Sequence, residues 1–274
     1  MTRWLDALSF DVRRLLIEIF VTANLAFLAL DVYVAHLAND FEHPTEWIPV
    51  AFSILGSLVL LPGAIRRKLD DPWAYWGGLA VGFAAILVGV AGLVFHLRSA
   101  FFAAPSLKNL VYTAPFIAPV SYAGLGMLLM LNRLERGHDS EHALWITILA
   151  LGGFIGNFGL SLADHAVNGF FRVEEWIPVC AAALASSLLF MVCVVSHDKL
   201  LIRTAAVVMV AQVAVGLLGF FFHVQTLPEE PWLHLDAVTH RAPPFAPMLF
   251  ADLAVLALIG LHGLACQPVA TFEP

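Results

Sequence analysis

Apolar residues in this chain come in long runs separated by short polar stretches. Runs long enough to cross about 30 Å of hydrocarbon, about 20 residues each, fall at 15–37, 47–65, 76–97, 111–132, 144–166, 176–196, 201–224 and 244–264. In lipid every backbone N–H and C=O must be paired internally, so segments of this kind are helices. The pattern predicts eight transmembrane helices, an even number that puts both termini on one side. Gly77-Gly78 and Gly152-Gly153 fall inside these runs and suit close helix contacts.

A repeat organises the pattern. His36 to Val50 reads HLANDFEHPTEWIPV and His165 to Val179 reads HAVNGFFRVEEWIPV, identical at eight of fifteen positions. Beyond that window, the Gly92–His96 segment GLVFH pairs with the Gly219–His223 segment GFFFH, and APFIAP from Ala114 pairs with APPFAP from Ala242. Predicted helices 1 to 4 therefore correspond to helices 5 to 8, in halves 1–135 and 136–274. Each half has an even number of crossings, so the expected fold is an all-α integral membrane protein. It is built of two parallel four-helix repeats related by a pseudo-two-fold axis along the membrane normal.

Composition agrees with the solvent this implies. The chain of 274 residues is 60% apolar and 13% charged, against about 25% charged in soluble domains, which excludes a water-soluble globule and disorder. The net charge of −7, with no basic run beyond Arg66-Arg67-Lys68, excludes a nucleic-acid surface. Cys180, Cys193 and Cys266 have no metal-ligand spacing and read as packing residues. The first apolar stretch is full length with no small-residue cleavage site, so it reads as a helix and not as a cleavable signal.

Lys and Arg set an expected orientation. Arg3, Arg13, Arg14, Arg66, Arg67, Lys68, Arg133, Arg136, Lys199 and Arg203 share the face of the termini, ten residues against Arg98, Lys108, Arg172 and Arg241 opposite. The termini are then cytoplasmic. In a bacterium this is the inner membrane, with the loops after helices 1, 3, 5 and 7 facing the periplasm.

The repeat gathers the scarce polar groups. His36, His96, His165 and His223 stand at the outer ends of odd-numbered helices, and Glu46 and Glu175 open helices 2 and 6 on the same side. Four imidazoles and two carboxylates at one level point to a transition-metal site, iron or copper and dinuclear in one version. The competing readings are interfacial histidines and acids that cap helix N-termini. Asn39 and Asn168 orient the imidazoles in the metal reading or terminate the helices in the bland one. Asp31 and Asp164 lie on one polar face of helices 1 and 5 together with Asn24 and Asn157. Asp252 adds an acid in helix 8, and intramembrane acids of this kind are candidates for proton relay, ligand or structural pairing. His43, His138, His142, His197 and His262 read as loop or interfacial residues, and His234 and His240 as loop surface in a possible outer lid.

The leading expectation is a metal-dependent redox protein acting on oxygen, a quinol or another lipid-soluble substrate, with a periplasmic electron-transfer partner. A b-type cytochrome is the alternative, with haem b held by paired histidines and with Gly92 and Gly219 leaving room for the macrocycle. A transporter or an accessory membrane subunit is the third. No GxSxG, HExxH or P-loop pattern occurs.

Overall fold

The computed structural model describes residues 9–37, 40–111, 114–135, 139–167, 169–195, 198–227 and 243–266. The elements are α1 (Phe10–Leu37), α2 (Trp47–Arg66), α3 (Pro72–Arg98), α4 (Leu107–Val111), α5 (Val120–Leu134), α6 (Asp139–Val167), α7 (Trp176–Phe190), α8 (Lys199–Val224) and α9 (Met248–Ala265). All described regular structure is helical, and seven helices are long and apolar enough to cross a membrane.

The difference from the expected eight lies at α5. Its 15 residues span about 22 Å at 1.5 Å per residue, short of the hydrocarbon thickness. The apolar run expected from residue 111 is broken by Pro115 and Pro119. Residues between them form tight turns closed by Ala118 N–H to Pro115 O at 3.2 Å and Val120 N–H to Ile117 O at 3.0 Å. Proline removes a donor and blocks the preceding turn of helix, so the run is apolar throughout but helical only in its second part. The segment before α9 turns the same way, with Ala246 N–H to Pro243 O at 3.4 Å and Met248 N–H to Phe245 O at 2.9 Å.

Helix ends follow local chemistry. The Asp198 carboxylate caps α8 by accepting from the N–H groups of Leu200 and Leu201 at 2.8 and 3.2 Å. Asp71 holds the equivalent place before Pro72 of α3 without a side-chain bond. α7 passes into a π-helical turn at Met191–Val195, whereas α2 continues through an internal Pro62 to Arg66.

α1 packs on α2, α3 on α2 and α5, α6 on α7 and α9, and α8 on α7 and α9, while α5 with α6 and α1 with α9 join the halves. Small residues permit the close crossings: Gly82 faces Gly126 between α3 and α5, and Gly216 faces Ala251 between α8 and α9. α9 is the most enclosed span. The buried core runs through both halves, including Leu25, Leu129, Ile146, Phe154, Leu189 and Met209. Leu55, Ile65, Trp76, Leu200 and Val207 point outward, as suits side chains facing lipid.

Candidate functional site

The two HxxN…EWIPV segments fold alike. After α1, Asp40 and Phe41 take left-handed φ values of 51° and 50°; after α6, Gly169 and Phe170 take 71° and 51°. The N–H groups of Phe41 and Phe170 donate to His36 O and His165 O at 3.3 and 3.1 Å. This reversal stacks Phe41 on Trp47 and Phe170 on Trp176, each with ring centres 4.1 Å apart. Each stack ties the histidine helix to the glutamate helix. A 3-10 turn, Pro44–Glu46 or Val173–Glu175, then delivers the carboxylate.

Glu46 and Glu175 occupy the N-cap positions of α2 and α7, but neither side chain makes a cap hydrogen bond. Both acids nonetheless stand in the first turn of a helix, where a negative charge suits the dipole. The Oε2 atoms of both residues are buried with no hydrogen-bond partner among the described residues. A desolvated, unbonded carboxylate oxygen is costly. Finding it at both repeat-related positions makes it the most informative feature of this end of the molecule.

The histidines meet these carboxylates. The rings of His36 and His96 stand 6.3 Å apart, centre to centre, in edge-to-face orientation, and Glu46 lies within electrostatic reach of His96. In the second half, His165 Nδ1 is 3.7 Å from Glu175 Oε2, and His223 lies within electrostatic reach of His165. Backbone carbonyls orient three of the rings. Nδ1 of His36 contacts Val32 O at 3.0 Å, Nδ1 of His96 contacts Pro115 O at 2.9 Å, and Nδ1 of His223 contacts Pro243 O at 2.7 Å. With the proton on Nδ1, Nε2 carries the lone pair, which is the tautomer that metal-ligating histidines adopt. The sets are open: among the described residues no group of three or more His, Cys, Asp or Glu closes to metal-ligand distances.

Gly92 and Gly219 stand against prolines. A Cβ on Gly92 would lie 2.8 Å from Pro119 Cβ, and one on Gly219 would lie 2.7 Å from Pro247 Cβ. The space that the cytochrome reading reserved for a macrocycle is filled by these rings, and both glycines serve helix contact. Asn39 and Asn168 lie outside the described residues, as do His138, His197, His234 and His240.

The three intramembrane acids go to separate places. The Asp252 carboxylate accepts from Asn24 Nδ2 at 2.8 Å and joins α9 to α1 across the halves. Asp164 lines a cavity of about 20 Å³ with Leu110, Pro115, Phe116, Ile117 and Leu160, room for about one water. Asp31 lies within electrostatic reach of Tyr122, a buried residue of α5 whose hydroxyl pairs with Ser53 Oγ at 2.7 Å and also donates to Pro49 O at 3.3 Å.

The opposite end of the bundle holds charges expected in loops. α1 and α6 begin about five residues earlier than the apolar runs, which draws Arg13, Arg14 and His142 inside the bundle. Arg133 Nη2 donates to Glu18 Oε1 at 2.6 Å, Arg13 pairs with Asp139 at 2.5 Å, and Arg14 pairs with Asp70 at 2.9 Å. His142, expected at a loop or interface, is fully buried against Phe10. Three of the ten basic residues behind the expected orientation are thus buried in ion pairs. All three cysteines are free thiols. Comparison of the chain with protein-family models, with curated proteins and with solved structures finds no match.

Proposed function

We propose that this integral membrane protein is two parallel four-helix repeats, α5 being the short member of the first, and that it holds a transition-metal ion at a His–His–Glu set in each half. His36, His96 and Glu46 form one set, and His165, His223 and Glu175 the other. The observation that carries the reading is the matched pair of buried glutamate oxygens without hydrogen bonds, each near a histidine of its own half. Bridging of one pair alone has an ordinary structural explanation; the same arrangement in both halves is what a duplicated ligand set leaves.

The donors fit iron or copper, since two imidazoles and one carboxylate with open positions suit redox-active ions. Bound there, such an ion would be held by the imidazoles and the glutamate carboxylate of its half, whose negative charge it would offset. Such an ion supplies one-electron chemistry, and the surrounding apolar helices admit oxygen, a quinol or another lipid-soluble substrate. The proposed setting is a bacterial inner membrane with both termini cytoplasmic, the sites at the periplasmic face, and a periplasmic electron-transfer partner. Asn39 and Asn168 are the proposed orienting groups.

The test is elemental analysis and a visible spectrum of the protein purified in detergent. Iron or copper without a Soret band is the expected result. A dithionite-sensitive Soret band overturns the non-haem assignment, and a protein that takes up neither metal nor pigment after loading overturns the reading as a whole.

A further inference from the structure

α2 starts beside Glu46 and ends at Arg66, so the turn from α2 to α3 lies at the end of the bundle opposite the histidines. It carries three consecutive cations, Arg66, Arg67 and Lys68, all exposed and with no side-chain hydrogen bond or ion pair to any described residue. Their neighbours Arg13, Arg14 and Arg133 are instead taken up in buried ion pairs. The turn itself is held in place. The N–H groups of Arg67 and Lys68 both donate to Gly63 O, Leu69 is buried, and the Asp70 carboxylate accepts two bonds from Arg14 at 2.9 and 3.2 Å. With Asp70 neutralised in this way, Asp71 alone opposes the three cations. α3 then opens with Pro72 and presents Trp73 and Trp76, 91% and 67% exposed, three residues apart and so on one face of the helix. Tryptophans this bare suit a membrane boundary, with the apolar body among acyl chains and the indole N–H toward the headgroups.

The second half joins its equivalent helices without these groups. Its sequence from Met191 to Asp198 holds no Lys or Arg, and in the register that pairs Asp71 with Asp198, Leu200 and Arg203 stand where the first half has Trp73 and Trp76. Its exposed cations, Lys199 and Arg203, are one turn apart on α8 with no tryptophan beside them. Connecting two helices at this end therefore does not require the cluster. We propose that the α2–α3 turn binds an anionic phospholipid, with Arg66, Arg67 and Lys68 holding the headgroup phosphate and Trp73 and Trp76 lying along the upper acyl chains. Charge makes the selection: a zwitterionic headgroup brings an ammonium that the three cations repel, and an anionic one does not. Free phosphate carries the charge but offers the tryptophans nothing to cover. No residue of the proposed metal sets takes part.

The experiment incubates the full chain in detergent with equal amounts of phosphatidylglycerol and phosphatidylcholine, removes excess lipid and counts retained lipid per chain by mass spectrometry. Helical circular dichroism is recorded for every sample. At roughly fivefold per cation near an anionic headgroup, the parent should favour phosphatidylglycerol by about tenfold or more. Arg66→Gln/Arg67→Gln/Lys68→Gln should bring the ratio close to parity, Arg66→Lys/Arg67→Lys should keep it, and Lys199→Gln/Arg203→Gln in the second half should leave it nearly unchanged. Trp73→Ala/Trp76→Ala should lower the phosphatidylglycerol retained. Inorganic phosphate should displace the lipid no better than chloride at the same ionic strength. Parity in the parent, a preference that survives the triple glutamine variant, or an equal loss in the second-half variant overturns the proposal. Displacement by phosphate beyond that by chloride overturns it in favour of a free-anion site.

Discussion

Arg133 of α5 reaches Glu18 of α1 at 2.6 Å, and neither side chain has exposed surface. The pair ties α5 to α1, with Arg133 also donating to Ala74 O of α3 at 3.2 Å. Removing one partner of a buried pair leaves an uncompensated charge, at a cost of about 3–5 kcal/mol. Glu18→Ala should therefore strongly lower the denaturation midpoint in detergent. The double variant Glu18→Leu/Arg133→Met should recover much of that loss. Equal midpoints for Glu18→Ala and the parent protein would show that the pair is not a determinant of stability.

Gly92 and Gly219 bring α3 and α8 against Pro119 and Pro247 at matched distances. Alanine at either position pushes a methyl group into a proline ring, and overpacking of this kind costs about 1–3 kcal/mol. The two substitutions should destabilise to similar extents, measured by thermal unfolding in detergent. A loss of bound pigment at unchanged stability would instead restore the macrocycle role.

The turn after each histidine helix is left-handed at two successive residues, occupied by Asp40 and Phe41 in one copy and by Gly169 and Phe170 in the other. Glycine adopts this geometry freely, whereas other residues pay roughly 1–2 kcal/mol. Gly169→Val should destabilise by about that amount, and Asp40→Gly should change stability little. The check is the same unfolding assay, compared with the tryptophan emission of Trp47 and Trp176 as a report on the stacked rings.

How much of this was legible in the sequence depends on which force decides each feature. Membrane-crossing segments are set by lipid, which acts on every residue of a run, so α1, α2, α3, α6, α7 and α8 lie close to their apolar runs. The truncation of α5 is a proline effect readable at Pro115 and Pro119 but outvoted by the apolarity around them. The His36 and His165 neighbourhoods were legible because closely similar sequence stands at both turns. Arg13, Arg14, Arg133 and His142 were not, because a charge at a helix end looks the same whether it faces water or a partner. The partner is chosen by helix rotation and by packing between distant segments: Arg14 and Asn132 exchange bonds across 118 positions of sequence. The association of Asp252 with Asn24 was hidden for the same reason.

The most direct test of the central claim is metal stoichiometry in the parent protein and in His36→Ala and His223→Ala, each loaded with iron or copper, stripped of loosely held ions and analysed per chain. Two matched His–His–Glu sets predict two ions per chain in the parent and one in each variant, with His142→Ala retaining both. Unchanged metal content in the histidine variants, or no retained metal in the parent, would contradict the account.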